Sequence, residues 1–165
     1  FIDSIGHYNK VINLLLFLMK INWYIKKFNE LSTIEFHDII QLRLAVFVVE
    51  QDCVYQDLDG KDTSALHMLG KTDEGEIIAT ARILIENSGK VIVGRVVVDD
   101  NYRKYGIGKE LMKQTISDIN RLMGNVQINI SAQKYLLNFY TSLGFISTDN
   151  EYLEDGIAHV EMNLN

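Results

Sequence analysis

The residues of this chain best suited to bind a ligand lie in a glycine-rich turn between Val98 and Lys109. Gly106 and Gly108 let backbone N–H groups come close to a ligand that a Cβ atom would keep away. Arg103 adds positive charge three residues before the first glycine. The first N–H groups of a helix also lack internal partners and carry partial positive charge. The segment therefore predicts an anion-binding turn, and phosphate is its natural ligand.

Regular structure on both sides must position this turn. Residues 91–98 are rich in β-branched side chains and predict a mostly buried strand. After the turn, apolar residues at helical spacing predict an amphipathic helix over residues 106–123. Its apolar face consists of Ile107, Leu111, Met112, Thr115, Ile119 and Leu122.

The spacing of the glycines separates this turn from two common phosphate loops. A Walker loop needs Gly-x-x-x-x-Gly-Lys-Ser/Thr and a dinucleotide fingerprint needs Gly-x-Gly-x-x-Gly, and neither is present. The pattern Arg103-x-x-Gly106-x-Gly108 instead resembles the motif by which GNAT N-acetyltransferases bind the pyrophosphate of acetyl-CoA. The alternative is an ordinary helix N-terminus whose glycines serve tight packing.

A second segment downstream resembles the same family. After a strand predicted at 126–131, a helix predicted at 134–143 contains Phe139-Tyr140 and is followed by Gly144-Phe145. This is similar to the GNAT segment Phe-Tyr-x-x-x-Gly-Phe. Gly144 fits a helix C-cap, where a left-handed residue is needed.

The resemblance narrows to the ElaA-like branch of the GNAT proteins and covers roughly residues 21–165. The segments that carry it are residues 41–60, 81–84, 94–96 and 152–159. Val54 and Ala158 stand where we expect prolines, and the chain contains no proline at all. Gln133 replaces an asparagine that in many GNAT enzymes contacts the CoA arm.

The resemblance implies an α/β fold with a central, mostly antiparallel, twisted sheet flanked by helices. It implies that acetyl-CoA is the co-substrate and that the main chain at Val96 and Val98 binds the pantetheine arm. A backbone N–H of the same region would polarise the thioester carbonyl. The other residues expected to bind the cofactor are Arg103, Lys104, Tyr105, Gly106, Ile107, Gly108, Lys109 and Gln133.

One catalytic role follows from the same resemblance, and a second role is weighed from the chemistry of the residues. Tyr140 would protonate the leaving thiolate, since a phenol stays protonated at neutral pH; the alternative is a core tyrosine. For the general base, Glu50 and His159 rank level, ahead of His67 and Glu154. The base in many GNAT enzymes acts through water, so direct contact does not follow.

The acceptor site is predicted at the polar segments 50–64 and 152–159. Arg43 lies in an apolar pattern, where an unpaired charge is costly, and is expected to pair with a carboxylate of residues 57–62; simple exposure is the alternative. The residues predicted to bind the acceptor are Arg43, Asp59, His67, Arg82 and Glu154. The acidic residues of these segments favour a cationic acceptor, against the alternative of a solvated acidic surface; they are Glu50, Asp57, Asp59, Asp62, Glu154 and Asp155.

The function predicted from these features is direct transfer of an acetyl group to a primary amine, without a covalent intermediate on Cys53. The competing hypothesis is a non-catalytic sensor that binds acyl-CoA. A metal site is not expected: the loop from Asp57 has Asp62 and Met68 where a calcium loop needs Gly and Glu. The histidines and Cys53 also lack zinc-ligand spacing.

Composition limits the partners. A net charge of −6 argues against nucleic acid, and a single cysteine fits the reducing cytoplasm. The apolar run Val11–Met19 is too short to span a bilayer, so no membrane association is expected. We expect residues 1–20 to be an N-terminal extension of a single domain at 21–165. Either Met19 is the biological start, or the extension is a natural helix packing on the domain or on the second subunit of a homodimer.

The remaining pattern places the other elements. Strands are predicted at 21–28, 65–72, 76–86, 90–98, 145–153 and 157–164, and a helix is predicted at 33–48. Ser32 and Glu35 supply a capping box for that helix.

Overall fold

The structure, a computed structural model, describes residues 20–165. The N-terminal extension predicted above lies, up to residue 19, outside the described residues. In the part of the chain that the structure describes, no helix is long and apolar enough to cross a membrane.

The described residues form one set of strands and three α-helices. The strands are β1 (Asn22–Lys27), β2 (Leu66–Lys71), β3 (Ile77–Ile85), β4 (Val91–Val98), β5 (Ile128–Gln133), β6 (Ile146–Glu154) and β7 (Ile157–Leu164). The α-helices are α1 (Thr33–Leu44), α2 (Ile107–Met123) and α3 (Leu137–Thr141).

All strands join one sheet in the order β1-β2-β3-β4-β5-β7-β6. Every neighbouring pair is antiparallel except β4 and β5, which are parallel. A parallel pair needs a crossover connection, and α2 provides it between β4 and β5. The predicted mixed α/β fold with a mostly antiparallel sheet is confirmed.

The helices cover opposite faces of the sheet. Met68 and Ile78 belong to the apolar cluster that contains the buried face of α2. Their chain neighbours Leu69 and Ile77 belong to a second cluster with Ile39 of α1. Because successive strand residues point to opposite faces, the sheet has a core on each side.

The first helix begins as the sequence predicts but ends earlier than predicted. The capping box is confirmed, since Ser32 Oγ accepts from the Glu35 N–H at 3.1 Å and Glu35 Oε2 accepts from the Ser32 N–H at 2.8 Å. The α-helix predicted to residue 48 ends at Leu44, and a π-helix continues it over Ala45–Glu50. The π-helix closes wider turns, as in the bond from the Gln51 N–H to the Val46 carbonyl.

Two other boundaries shift. Strand β5 covers Ile128–Gln133 instead of 126–131, because its pairing with β7 extends as far as Gln133 opposite His159. The helix predicted at 134–143 begins as a 3₁₀ turn, Lys134–Leu136, and is α-helical only over Leu137–Thr141. Leu122 of the predicted apolar face, in the last turn of α2, is 50% exposed.

Candidate functional site

The glycine-rich turn leaves the N-terminus of α2 open. Lys104 and Gly106 both have left-handed backbones, with φ of +74° and +79°. Gly106 is the N-cap residue, and no side chain of the described residues caps the helix there. Since the first N–H groups of a helix otherwise need a cap or water, this end is chemically suited to an anion.

Strands β4 and β5 separate just before this turn. They pair only at Val91–Val93, opposite Ile128–Ile130. Beyond that point β4 contains one extra residue relative to β3, because Thr80 faces Val97 whereas Arg82 faces Gly94. Arg95 lies in this β-bulge with a left-handed φ of +51°.

The separation exposes main-chain groups on one side of β4. The Asp99 N–H donates to the Ile78 carbonyl of β3 at 2.8 Å, so the groups of Val98 point away from β3. Alternation along the strand gives Val96 the same direction. Their side chains pack against the core.

The turn and the separated strands enclose a cleft of about 550 Å³, here called the turn cleft. It contains all but one of the residues predicted to bind the cofactor: Val96, Val98, Arg103, Lys104, Gly106, Ile107, Gly108, Lys109 and Gln133. The exception is Tyr105, whose side chain packs against the core. Gln133 donates from Nε2 to Gln51 Oε1 at 3.0 Å across the cleft.

Arg103 and Glu50 form an ion pair that the sequence analysis did not predict. Arg103 Nη1 and Nη2 donate to the two carboxylate oxygens of Glu50 at 2.6 and 2.7 Å, and its Nε donates to the Val98 carbonyl at 3.0 Å. The hydrogen bonds from Arg103 lower the pKa of Glu50. Glu50 is therefore a weaker base than a free carboxylate, and the guanidinium of Arg103 is occupied.

Tyr140 lies where the turn cleft meets a second cleft, because it contributes to the walls of both. It is 7% exposed, and its ring packs edge-on against Phe139 and Phe145. Burial raises the pKa of Tyr140 to about 12, so its hydroxyl keeps its proton at neutral pH. Gly144 follows with a left-handed φ of +96°, as predicted for a helix C-cap.

The second cleft, here called the loop cleft, measures about 460 Å³ and lies between the 50–64 loop and the β6–β7 hairpin. Besides Tyr140, four of the predicted catalytic and acceptor residues contribute to its walls: His159, Glu154, Arg82 and Asp59. Lys61 and Arg95 also line it. Neither residue was assigned a role from the sequence, although Arg95 lies in one of the segments that carry the resemblance.

His159 is held in a defined orientation. Its Nδ1 lies 2.9 Å from the Ile157 carbonyl, and its ring stacks on Tyr152 with centroids 6.1 Å apart. A carbonyl oxygen only accepts, so Nδ1 carries the hydrogen of the neutral ring. The lone pair is then on Nε2, the nitrogen that can take a proton.

Three arginines and three aspartates hold the 50–64 loop. Arg43 is 1% exposed, and its guanidinium contacts Asp62 at 2.6 Å and Asp57 at 2.9 Å, as the expected pairing requires. Exposure of Arg43 is thereby excluded. Arg82 binds both oxygens of Asp59, at 2.7 and 2.8 Å.

Arg95 completes this network from the β-bulge. Its Nε donates to Asp57 Oδ1 at 2.7 Å, and its guanidinium lies over the Tyr55 ring, 5.4 Å from the centroid. Tyr55 donates to the same oxygen of Asp57 at 2.9 Å. Burial and this hydrogen bond raise the pKa of Tyr55.

The network changes the electrostatic expectation for the acceptor. Glu50, Asp57, Asp59 and Asp62 all have arginine partners, so they do not present an acidic surface. Among the acidic residues considered, only Glu154 and Asp155 lack an ion pair within the described residues. The predicted acidic character of this region is thus largely neutralised.

Two of the predicted acceptor residues lie beneath the loop cleft instead of lining it. Arg43 is buried in the network. His67 is 1% exposed and its Nε2 lies 3.0 Å from the Asp62 carbonyl. Burial lowers the pKa of His67, which fits a neutral ring supporting the loop. In residues 20–165, no three His, Cys, Asp or Glu side chains are grouped as metal ligands.

Comparisons with known proteins define the class. Residues 35–165 match the family model described as an acetyltransferase (GNAT) domain, and the chain belongs to this family. Its members are acyltransferases. Within the family the chain is ElaA-like: Escherichia coli ElaA is 40% identical over 146 residues, covering 86% of this chain and 95% of that protein.

Solved structures support the same assignment. The crystal structure of E. coli ElaA matches with a TM-score of 0.82 at 38% identity, over 88% of this chain and 100% of that chain. An acyl-CoA N-acyltransferase from Pseudomonas aeruginosa matches with a TM-score of 0.81 at 35% identity, over 87% and 99%. A Bacillus subtilis acetyltransferase in complex with CoA matches with a TM-score of 0.63 at 18% identity, over 88% and 99%, and shows the shared fold alone.

The buried network predicts a large stability effect at Arg43. Arg43→Met should lower the free energy of unfolding by about 3 kcal/mol or more, because it leaves buried carboxylates short of a partner. Arg121→Met is the matched control, since Arg121 is 61% exposed in its pair with Asp118 and should cost at most about 1 kcal/mol. Urea titration measures both, and equal losses would contradict the structural role of Arg43.

Proposed function

We propose that the protein is an N-acetyltransferase that transfers an acetyl group directly from acetyl-CoA to a primary amine. The observation that carries the proposal is the continuous path from the uncapped N-terminus of α2, along the separated edge of β4, to the buried hydroxyl of Tyr140. Beyond Tyr140 the path opens into the loop cleft, where an acceptor would approach. We expect the protein to lie in the cytoplasm, because a single cysteine fits a reducing compartment.

The turn cleft fits acetyl-CoA in shape and chemistry. The N–H groups after Gly106, with Lys104 and Lys109 beside them, supply donors and positive charge for the diphosphate. A Cβ atom on Gly108 would fill part of this cradle. The freed main chain of Val96 and Val98 would hold the pantetheine arm as an added strand does. The B. subtilis relative of the same fold was crystallised with CoA.

Arg103 has a different role in this proposal from the one that its sequence position suggests. Its nitrogens already bind Glu50 and the Val98 carbonyl. It therefore fixes the end of β4 against the π-helix, while backbone N–H groups bind the diphosphate. Glu50 positions Arg103 and is not the base.

The chemical step needs an acid and a base, and the thioester supplies the activated acetyl group. Tyr140 donates its proton to the thiolate as the carbon–sulfur bond breaks, and its raised pKa ensures that the hydroxyl carries that proton at neutral pH. His159 removes a proton from the attacking amine through Nε2, directly or through water. Gln133, opposite His159 in the sheet, lies between the two clefts.

The alternative is a sensor that binds acyl-CoA without turnover. Thiol release with acetyl-CoA and a panel of amines decides between them. We expect release with at least one amine, and we expect Tyr140→Phe to lower kcat by about 100-fold or more while the Kd for acetyl-CoA is unchanged. Tight binding without release, for every amine, would favour the sensor. Equal losses in kcat and affinity would make Tyr140 structural.

Gly108→Ala tests the cradle without disturbing the fold. The new Cβ would lie 3.8 Å from Phe139 and Val98, an ordinary contact, whereas Gly106 has a left-handed backbone that alanine would strain. Calorimetry should show acetyl-CoA affinity falling about tenfold or more, because the methyl group blocks phosphate from the N–H groups. Thermal melting should be unchanged, and Lys113→Ala on the exposed face of α2 is the control. Unchanged acetyl-CoA affinity in Gly108→Ala would contradict the proposal that the diphosphate binds at this turn.

A pair of variants separates the two candidate bases. His159→Gln should lower kcat/KM about 100-fold near neutral pH, with partial recovery as rising pH deprotonates the free amine. Glu50→Gln should act mainly on acetyl-CoA affinity, because it releases Arg103. A larger kcat loss for Glu50→Gln at unchanged acetyl-CoA affinity would reverse the assignment.

A further inference from the structure

The loop cleft carries charges of both signs, and the protein neutralises only some of them. Its arginine–aspartate network balances internally, with three residues of each sign: Arg43, Arg82, Arg95, Asp57, Asp59 and Asp62. What a ligand meets is therefore set by the charged groups that the network leaves over.

On the side of the 50–64 loop, the cleft is lined by one cation outside the network, Lys61, and by an unused N–H donor of the network, Arg95 Nη1. Lys61 lines the cleft, and its ammonium group has no ion-pair partner within residues 20–165. Arg95 uses Nε and Nη2 on Asp57, whereas its Nη1 makes no hydrogen bond to the described residues. This side therefore offers two N–H donors with positive charge.

On the side of the β6–β7 hairpin, the groups left over are proton acceptors. Glu154 accepts only from the Ser131 hydroxyl, at 3.1 Å, and Asp155 has no ion pair within the described chain. His159 is 9% exposed, and its Nε2 has no partner among the described residues. This side suits an ammonium group that must lose a proton.

The two sides meet at one edge of the cleft. Cys53 Sγ on the loop lies 3.7 Å from the Asp155 carbonyl on the hairpin. The cleft volume of about 460 Å³ lies in the range of small-molecule sites, and residues of both sides line this one cleft.

We propose that the acceptor is a free amino acid: its carboxylate binds Lys61 and Arg95, and its amine lies against Glu154 and His159. The inference rests on the proposed acetyltransferase function and names its substrate class. A diamine would place its second cation beside Lys61 and Arg95, where like charges repel. A simple monoamine would leave Lys61 and the Nη1 donor of Arg95 without a partner.

Matched acceptors test the carboxylate directly. For several side chains, thiol release from acetyl-CoA is compared for the free amino acid, its α-carboxamide and the decarboxylated amine. For at least one side chain, kcat/KM should be about tenfold or more higher for the free acid, because a charge-assisted hydrogen bond is lost in the others. Equal or faster turnover of the amide or amine in every series would overturn the inference.

Variants connect the preference to the residues. Lys61→Gln should lower kcat/KM for the free acid about tenfold and leave the amide unchanged, which Lys113→Gln should not do. Glu154→Gln should lower kcat/KM by a similar factor for all three acceptors, since each of them carries the amine. A uniform loss in Lys61→Gln would give Lys61 a structural role and contradict the proposal. Acetyl-CoA binding without thiol release from any acceptor would instead overturn the acetyltransferase function itself.

Discussion

Arg95 lies in the central sheet and has a left-handed backbone conformation, which residues with a Cβ rarely adopt. The pairing of β4 with β5 ends at Val93, directly before the extra residue of β4. Main-chain groups of Val96 and the N–H of Val98 therefore have no partner strand along the turn cleft, while the Val98 carbonyl accepts from Arg103. The guanidinium of Arg95 donates to Asp57. The β-bulge at the separated strands therefore also fixes the wall of the loop cleft. A strained residue is retained only where the surrounding structure determines it, and here Asp57 and Tyr55 do so.

Burial explains why this wall contains so many charges. Asp57 and Arg43 are almost completely buried, and a buried charge without a partner would be costly. Each aspartate of the network therefore contacts at least one arginine, and the loop that carries the aspartates is tied to α1, β3 and β4. The result is a long loop with a defined shape, on which Lys61 remains available to a ligand.

The features predicted from the sequence were those that depend on neighbouring residues. The turn with Gly106 and Gly108, the capping box at Ser32 and the C-cap at Gly144 each occupy only a few positions, and each is present. For Arg43 the sequence predicted the kind of partner, a carboxylate of residues 57–62, because a cation in an apolar pattern needs an opposite charge nearby.

The features that sequence reasoning missed depend on contacts between distant segments. Glu50 and Arg103 are 53 residues apart, and only the fold brings them together. The acidic residues of the loop suggested a negatively charged acceptor site. The arginines that neutralise them come from other elements, so the sequence of the loop does not reveal the pairing. The π-helix at Ala45–Glu50 depends on its hydrogen bonds, which side-chain periodicity does not reveal.

The central claim is that acyl-CoA lies along the freed edge of β4 with its diphosphate on the N-terminus of α2. Amide hydrogen exchange with and without CoA, resolved to short peptides, tests this claim without needing an acceptor. The account predicts new protection in residues 95–109, at the N–H groups of Val96 and Val98 and at the first turn of α2. Protection confined to other parts of the chain at saturating CoA, with residues 95–109 exchanging as before, would contradict it.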